Sequence, residues 1–302
     1  MDTSTSNLNR YCYQKASDER WISIDFHVHS IYSGGSLSPS EILNYSNQLL
    51  LDAVAISDHH EIRGSVEGQH ISSANPDLPQ MVTSQEVSAG DHFHLLLIGS
   101  KVSIPSTGRN ALINKVREHR AGGGAVILAH PWTLPKWGKD YLKELLREGM
   151  IDGLELFNSS ILEHPKESKA YLENWWNEWV LPNNLAVVGG SDYHYLKKGR
   201  VIGGGRTYLK VKQLNESGII DGLKSRQSVA GLFNYRDFDL DWIGKGSGLF
   251  LGQEPWLGEV KAINAYLKDY ISESYHTEPA LKRFLSNLLD TGNFHRILEL
   301  LC

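Results

Sequence analysis

Residues 22–30, Ile-Ser-Ile-Asp-Phe-His-Val-His-Ser, alternate between apolar and polar positions. A period of two is typical of a strand that buries one of its faces. This strand ends in His27 and His29, and residues two apart on a strand project from the same face. Both imidazoles can therefore reach one point. A His-x-His at a strand end often supplies half of a metal's coordination shell, although the motif alone fits two histidines in a loop equally well.

After this strand, apolar runs alternate with helical patterns as far as residue 211. Ser38-Pro39-Ser40-Glu41 has the form of a helix start, with a capping box and a proline at the first helical position. Further helices are predicted around 110–120, 140–148 and 166–180, and the three tryptophans of the last one are expected to pack against the sheet. The predicted strands are 53–56, 81–83, 95–98, 125–129, 153–157, 185–188 and 207–211.

This alternation implies an α/β protein with a parallel sheet. Polar residues follow successive strands, which is where barrel enzymes build their sites. A doubly wound open sheet is the competing architecture, but it would not gather ligands from so many strand ends. We therefore expect a flexible arm at 1–20, a barrel domain at 21–235 and a mainly helical extension at 236–302. Helices predicted at 255–275 and 279–301 would pack on the barrel or on another subunit.

Composition narrows the class of protein. The chain has 302 residues, is 41% hydrophobic and carries a net charge of −5, which does not favour a large non-specific nucleic-acid surface. Its two cysteines lie near opposite ends and form no disulfide framework, which suits a reducing compartment. The first twenty residues lack an apolar core of signal-peptide length, and no run of about 18 apolar residues predicts a membrane span. The expected location is the cytoplasm.

The strand ends bring together residues that bind divalent metal. They are His27, His29, Asp58, His59, Glu86, His94, His130, Asp192 and His194. Each of them alone would more often be an ordinary core or surface residue. As a set on one barrel rim they need a common explanation, and a polynuclear metal centre supplies it.

The motifs that carry these residues resemble those of the PHP (polymerase and histidinol phosphatase) superfamily. They are Asp25-Phe26-His27-Val28-His29-Ser30, Ala55-Ile56-Ser57-Asp58-His59, Gln85-Glu86-Val87-Ser88, His94-Leu95-Leu96-Leu97-Ile98-Gly99, Leu128-Ala129-His130-Pro131 and Gly190-Ser191-Asp192-Tyr193-His194. The resemblance covers residues 22 to about 206. It implies a distorted (β/α)7 TIM-like barrel and metal-dependent hydrolysis of phosphate esters.

The resemblance also implies a ligand set for each metal ion. The sets are His27, His29, Glu86 and Asp192 for one ion, Glu86, His94 and His130 for a second, and His59 and His194 for a third. Asp58 would orient a histidine instead of binding metal. Many relatives carry an acidic residue or histidine where this chain has Ser33-Gly34-Gly35, so the third ion would be weakly held, completed by water or absent. Mn²⁺, Zn²⁺ and Fe²⁺ all suit these ligands.

The chemistry that the resemblance implies is in-line attack on phosphorus by a metal-bridged hydroxide. No serine or cysteine has a nucleophile-elbow context, which argues against a covalent intermediate. His59 or His194 would protonate the leaving oxygen if the third metal is missing. Arg206, after a Gly-rich turn, is the first candidate for a phosphate clamp, ahead of Arg63, Lys136, Lys197 and Arg200.

The substrate stays open at this point. A small phosphomonoester or a nucleotide is the first expectation, and a nuclease acting on nucleic-acid ends is the alternative. A rival amidohydrolase would need a metal-bridging lysine at a strand end, and none occurs there. A degenerate PHP module that serves as a scaffold is the alternative from another class. The oligomeric state is not predicted.

Overall fold

The computed structural model describes residues 19–49, 51–90, 92–158, 172–195, 201–232 and 250–251. The strands are β1 (Arg20–Val28), β2 (Ala53–Ile56), β3 (Gln80–Ser88), β4 (His94–Ile98), β5 (Ala125–Leu128), β6 (Gly153–Asn158), β7 (Ala186–Gly190), β8 (Gly205–Val211), β9 (Ser228–Leu232) and β10 (Phe250–Leu251). The helices are α1 (Pro39–Gln48), α2 (Arg63–Ala74), α3 (Arg109–Ala121), α4 (Lys136–Arg147) and α5 (Glu216–Lys224). Short helical turns lie at Pro131–Thr133, Trp176–Val180 and Leu181–Asn183.

The strands of the described ranges form one sheet in the order β10-β9-β8-β1-β2-β3-β4-β5-β6-β7. The expected α/β barrel is confirmed as a mixed, nearly closed barrel-shaped sheet, but the sheet is not parallel throughout. β4 runs antiparallel to both β3 and β5, and β8 runs antiparallel to β1. β1, β2, β3, β5, β6 and β7 share one direction. Their carboxyl ends therefore lie on one rim, together with the first residue of β4.

Alternating side chains along the strands build two apolar layers. Inward residues such as Ile24, Ala55 and Ile127 fill the barrel interior, and α5 adds Ile219 and Leu223 to this cluster. The outward side of β4 to β7 packs against the helices on the other face. Trp175 and Trp179 belong to that outer cluster, as the sequence predicted. Apolar side chains and α5 thus occupy the interior below the rim.

The barrel closes between β7 and β8 through side chains and a close backbone approach. The Thr207 hydroxyl accepts a hydrogen bond from the Gly189 amide at 2.9 Å and donates one to the Gly189 carbonyl at 3.0 Å. A Cβ atom on Gly205 would lie 2.0 Å from the carbonyl oxygen of Gly190, so only glycine fits there. This seam fixes the end of β7, which leads directly into Asp192.

Most predicted elements are present with shifted bounds. The capping box at the start of α1 is confirmed, because Ser38 accepts from the Glu41 amide and Glu41 accepts from the Ser38 amide. α4 begins at Lys136, earlier than the pattern indicated. The sequence patterns missed α2, whose buried residues are Gly64, Ser65, Gly68 and Ser72, so that no apolar stripe marks it. They also missed α5 and β9.

The arm at 1–20 and the extension at 236–302 lie almost entirely outside the described residues, so their predicted roles stay predictions. Within the described part of the chain, no helix is both long and apolar enough to cross a membrane.

The contact between α5 and β3 gives a test of stability. The Glu216 carboxylate accepts from the Thr83 amide at 2.8 Å and from the Thr83 hydroxyl at 2.7 Å. Glu216→Ala leaves these groups without their acceptor, so we expect the free energy of unfolding to fall by about 1–3 kcal/mol, as measured by urea denaturation.

The matched control is Glu118→Ala. The Glu118 side chain is 65% exposed and pairs with Lys115 on the surface. Exposed pairs contribute little, so a change within about 0.5 kcal/mol is expected. Equal losses in the two variants would contradict the role assigned to Glu216.

Candidate metal centre

Glu86, near the end of β3, lies at the middle of a histidine cluster. Its Oε2 atom lies 3.2–3.3 Å from a ring nitrogen of His27, His29 and His59. Its Oε1 atom lies 2.7 Å from His94 Nδ1 and 3.1 Å from His130 Nε2. The Glu86 side chain is only 1% exposed. Both oxygens of one buried carboxylate are thus directed at imidazole nitrogens, two on one side and three on the other.

A second carboxylate, Asp192, completes one side of the cluster. Asp192 Oδ1 lies 3.4 Å from His27 Nε2, 3.5 Å from His29 Nε2 and 3.5 Å from His194 Nδ1. Backbone bonds hold it there, because the Asp192 amide donates to the His27 carbonyl and the His29 amide donates to the Tyr193 carbonyl. Asp192 has a positive φ of 51°, a conformation that the loop after β7 imposes.

A third group of imidazoles lies at the open side of the cluster. The ligand atoms of His29, His59 and His194 lie within 4.8 Å of one another. The rings of His29 and His194 stack with centroids 4.0 Å apart. A Cβ atom on Gly34 would lie 3.6 Å from His194 Cδ2. The position without a ligand-type side chain therefore borders this third group.

In three of the imidazoles, the ring nitrogen that points away from the cluster has a partner that orients the ring. Nδ1 of His27 faces Glu155 at 3.1 Å, Nδ1 of His29 faces the Ser33 hydroxyl at 3.3 Å, and Nδ1 of His130 faces the Thr133 hydroxyl at 3.1 Å. These three rings present Nε2 to the cluster. Partners of this kind on the far nitrogen are typical of metal-binding histidines.

Asp58 acts on the cluster through Ser33. Its Oδ1 accepts from the Ser30 amide and from the Ser33 hydroxyl, each at 2.8 Å. The Ser33 oxygen in turn accepts from the His59 amide at 2.7 Å and faces His29 Nδ1. Asp58 was expected to orient a histidine, and the structure gives it this indirect route.

The electrostatics of the cluster favour positive charge. Burial would lower the pKa of His27, but nearby carboxylates, Glu155 foremost, outweigh it and raise that pKa well above its usual value. The same balance raises the pKa values of His29 and His130. Burial would raise the pKa of Glu86, yet the surrounding imidazoles, His27 foremost, hold it well below its usual range.

The more exposed imidazoles behave in the opposite way. Burial lowers the pKa of His59 to about 4. Glu86 acts in the opposite direction and raises this pKa, but neighbouring imidazoles lower it further. Burial and the nearby His29 ring also lower the pKa of His194. Both rings therefore offer unprotonated nitrogens near neutral pH.

This donor set fits divalent cations. It offers imidazole nitrogens and carboxylate oxygens, the ligands that Zn²⁺, Mn²⁺ and Fe²⁺ accept. Three groups of ligand atoms are each close enough to hold one ion: His27 with Glu86 and His130, His27 with His29 and Asp192, and His29 with His59 and His194. His27 and His29 each belong to two of these groups, so the three groups adjoin one another.

Eight residues expected at the site lie together here, and Arg206 does not join them. Neighbouring residues on a strand point to opposite faces of the sheet. Because the Thr207 side chain faces β7, the side chain of Arg206 points to the other face. It is 1% exposed, and its Nε atom donates to the Gly203 carbonyl at 2.9 Å. The Arg206 side chain is therefore enclosed away from the cluster, and its role as a phosphate clamp stays a prediction from the sequence.

Among the other basic candidates, Arg63 and Lys136 lie within the described residues, and Lys136 begins α4. Arg63 pairs with Glu61 at 2.7 Å and lies over the Tyr32 ring. Lys197 and Arg200 lie outside the described residues. His60, next to His59, turns away from the cluster towards the Ile104 carbonyl and the Ser88 hydroxyl.

Two buried carboxylates escaped the sequence analysis. Glu155 contacts both His27 and His130. Asp25 accepts from the amides of His27, Ser191 and Gly203, and burial raises its pKa to about 6. The signal for Glu155 was a single acidic residue within an apolar strand, a position where an unpaired charge is costly.

Comparisons with known proteins support the fold. No family model and no curated protein matches the sequence. Among solved structures, the chain is similar to a two-domain protein from Bacteroides vulgatus that contains a domain assigned as a PHP-like metal-dependent phosphoesterase, with a TM-score of 0.56 and 21% identity. That match covers 72% of this chain and 66% of the other, so the chain spans about two thirds of its length.

Two further structures show weaker similarity. A protein from Bifidobacterium adolescentis assigned as a metal-dependent phosphoesterase has a TM-score of 0.46 and 18% identity over 67% of this chain and 96% of its own. PsfC from Pseudomonas syringae has a TM-score of 0.48 and 18% identity over 83% of this chain and 99% of its own. The first match supports the barrel fold that the sequence predicted.

The raised histidine pKa values predict how metal binding depends on pH. A metal ion competes with protons for His27, His29 and His130, whose raised pKa values favour proton binding, so binding of Zn²⁺ or Mn²⁺ should release protons. At lower pH these imidazoles bind protons again, so the affinity for the metal ion should weaken as the pH falls from about 8 to about 6. Isothermal titration calorimetry in two buffers of different ionisation enthalpy measures both effects.

A His60→Gln variant is the control for this measurement. It removes an imidazole beside the cluster that does not face it, so proton release should stay as in the unmodified protein. An affinity that does not change with pH would contradict the assignment of the imidazoles as ligands.

Proposed function

We propose that this protein hydrolyses phosphate esters with divalent metal ions held by the cluster around Glu86. The observation that supports the proposal most strongly is the position of Glu86, whose two oxygens each face imidazoles from different strands. His27, His29, Glu86 and Asp192 would hold one ion, and Glu86, His94 and His130 a second. A third ion at His59 and His194 would be held weakly, because Gly34 offers no ligand beside His194.

The bound ions would lower the pKa of water towards about 7 and offset the negative charge of the phosphate oxygens. The protein's own residues define where a substrate enters. His27 and His29 are fully buried, whereas His59 is 39% exposed and His194 is 27% exposed. A phosphate group therefore approaches from the side of His59 and His194, and the buried residues exclude water from below.

His59 and His194 are the candidates for proton transfer at this open side. Their lowered pKa values make both rings neutral near pH 7. A neutral imidazole accepts a proton, which fits activation of the attacking water better than the leaving-group protonation expected from the sequence. Asp58 contributes by holding Ser33, which positions both the His59 backbone and the His29 ring.

A small phosphomonoester or a nucleotide is the substrate class that we propose. The test is a panel of p-nitrophenyl phosphate, sugar phosphates, nucleoside monophosphates, a dinucleotide and short RNA, with protein stripped of metal and reloaded with Mn²⁺, Zn²⁺ or Fe²⁺. Metal-dependent release of inorganic phosphate from monoesters is expected. Release of nucleotides from RNA ends would favour the nuclease alternative. A folded, metal-loaded protein inert towards all of them would favour a scaffold.

The shared role of Glu86 predicts a ranking of variants. Glu86→Gln should abolish detectable turnover, because this carboxylate serves both proposed tight ions. His194→Ala should lower kcat by about 10²–10⁴-fold, as expected for loss of a proton-transfer group. Steady-state kinetics on the best substrate, with metal content measured in parallel, provide the comparison.

His60→Gln serves as the matched control and should retain full turnover. The ranking would be wrong if a folded, metal-loaded His194→Ala protein were as inert as Glu86→Gln.

A further inference from the structure

Glu155 on β6 is a buried carboxylate that contacts the cluster from behind. Its Oε1 atom lies 3.1 Å from His27 Nδ1. Its Oε2 atom accepts from the His130 amide at 2.8 Å and from the Asn158 side-chain amide at 3.3 Å. The side chain is completely buried. Glu155 therefore reaches a ligand on each side of Glu86, since His27 faces Glu86 Oε2 and His130 faces Glu86 Oε1.

The contact with His27 fixes which ring nitrogen is available to a metal. A carboxylate accepts hydrogen bonds and does not donate them, so Nδ1 of His27 carries the proton when it faces Glu155. When the ring carries only this one proton, Nε2, which points into the cluster, keeps its lone pair. The opposite tautomer would place a proton where a metal ion must bind.

The contact with His130 fixes a backbone conformation. His130 has φ of 25° and ψ of 64°, which non-glycine residues rarely adopt. The His130 amide donates to Glu155, while the His130 carbonyl accepts from the Thr133 amide at 3.0 Å. These bonds hold the turn after β5 in the conformation that directs His130 Nε2 at Glu86.

Two local features give the Glu155 carboxylate its position. The pairing of β6 with β7 shifts between Glu155 and Phe157, and both Leu156 and Phe157 pack in the outer cluster. This irregularity brings Asn158 to the same side as Glu155. On β7, a Cβ atom on Gly190 would lie 2.4 Å from Glu155 Oε1 and 2.6 Å from His27 Cβ. Only glycine at 190 leaves room for the contact between Glu155 and His27.

We propose that Glu155 is a positioning residue that links the two metal-binding groups on either side of Glu86. It holds the His27 tautomer for one group and the His130 backbone for the other, so both binding steps depend on it. The inference rests on the metal-binding part of the proposed function and requires no particular substrate.

Glutamine cannot replace Glu155 in this role. It has the same shape, but its amide offers one oxygen acceptor and one nitrogen donor. If the oxygen faces His130, the nitrogen donates to His27 Nδ1 and forces the tautomer that blocks Nε2. If the oxygen faces His27, the nitrogen opposes the amide of His130. Either arrangement damages one of the two groups directly.

The test is a Co²⁺ titration of metal-free protein, followed by visible absorption and by calorimetry. Glu155→Gln should weaken at least one of the two Co²⁺-binding steps by about 10–100-fold, the usual effect of losing a partner behind a metal-binding histidine. Asp52→Asn is the control, because Asp52 is a buried carboxylate that accepts from the Ser23 amide and hydroxyl at the start of β2, away from the cluster. Its Co²⁺ affinity should equal that of the unmodified protein.

An unchanged Co²⁺ affinity in folded Glu155→Gln, or an equal loss in Asp52→Asn, would overturn the proposal. If Glu155→Gln does not fold, Glu155→Asp tests the same contact by drawing the carboxylate back from His27 and His130, with the same loss of affinity expected. Failure of both variants to fold would also overturn it, since Glu155 would then serve the fold itself. Because the Co²⁺ titration uses no substrate, its result does not depend on whether a phosphoesterase assay succeeds.

Discussion

The site depends on one buried carboxylate surrounded by imidazoles. An isolated ionised carboxylate is costly to bury, and Glu86 is 1% exposed. Its charge is stabilised by nitrogens on both oxygens, and in return it raises the proton affinity of His29 and His130. The raised pKa values favour protons on these two rings when no metal ion is bound. A divalent ion carries more positive charge than a proton and would stabilise the carboxylate further. This arrangement therefore suits metal binding.

The barrel brings these residues together through strand direction. Parallel strands deliver His27, Glu86 and His130 to one rim, and the antiparallel β4 begins at that rim with His94. α5 fills the opposite end with Ile219 and Leu223. The rim is therefore the place where polar side chains meet solvent, and the seam between β7 and β8 carries Asp192 into it. The side chain of Arg206 lies on the face of β8 opposite Thr207 and so points away from the site.

Much of this arrangement could be predicted, because metal ligands follow strands whose apolar runs are easily recognised. What could not be predicted depends on contacts between distant segments. α2 escaped because its buried face consists of glycine and serine. Glu155 escaped because its role requires a strand irregularity and the empty space at Gly190. Arg206 was assigned to the site because it follows a Gly-rich turn, and the sequence did not show that its side chain lies on the opposite face of β8 from Thr207.

The most direct test of this account is an anomalous diffraction map from crystals grown with Mn²⁺ or Zn²⁺. The account predicts two strong peaks that share Glu86, one bound through Oε2 with His27, His29 and Asp192 and the other through Oε1 with His94 and His130. A third peak at His59 and His194 should be weak or missing. A single ion, or ions that do not contact Glu86, would contradict the account.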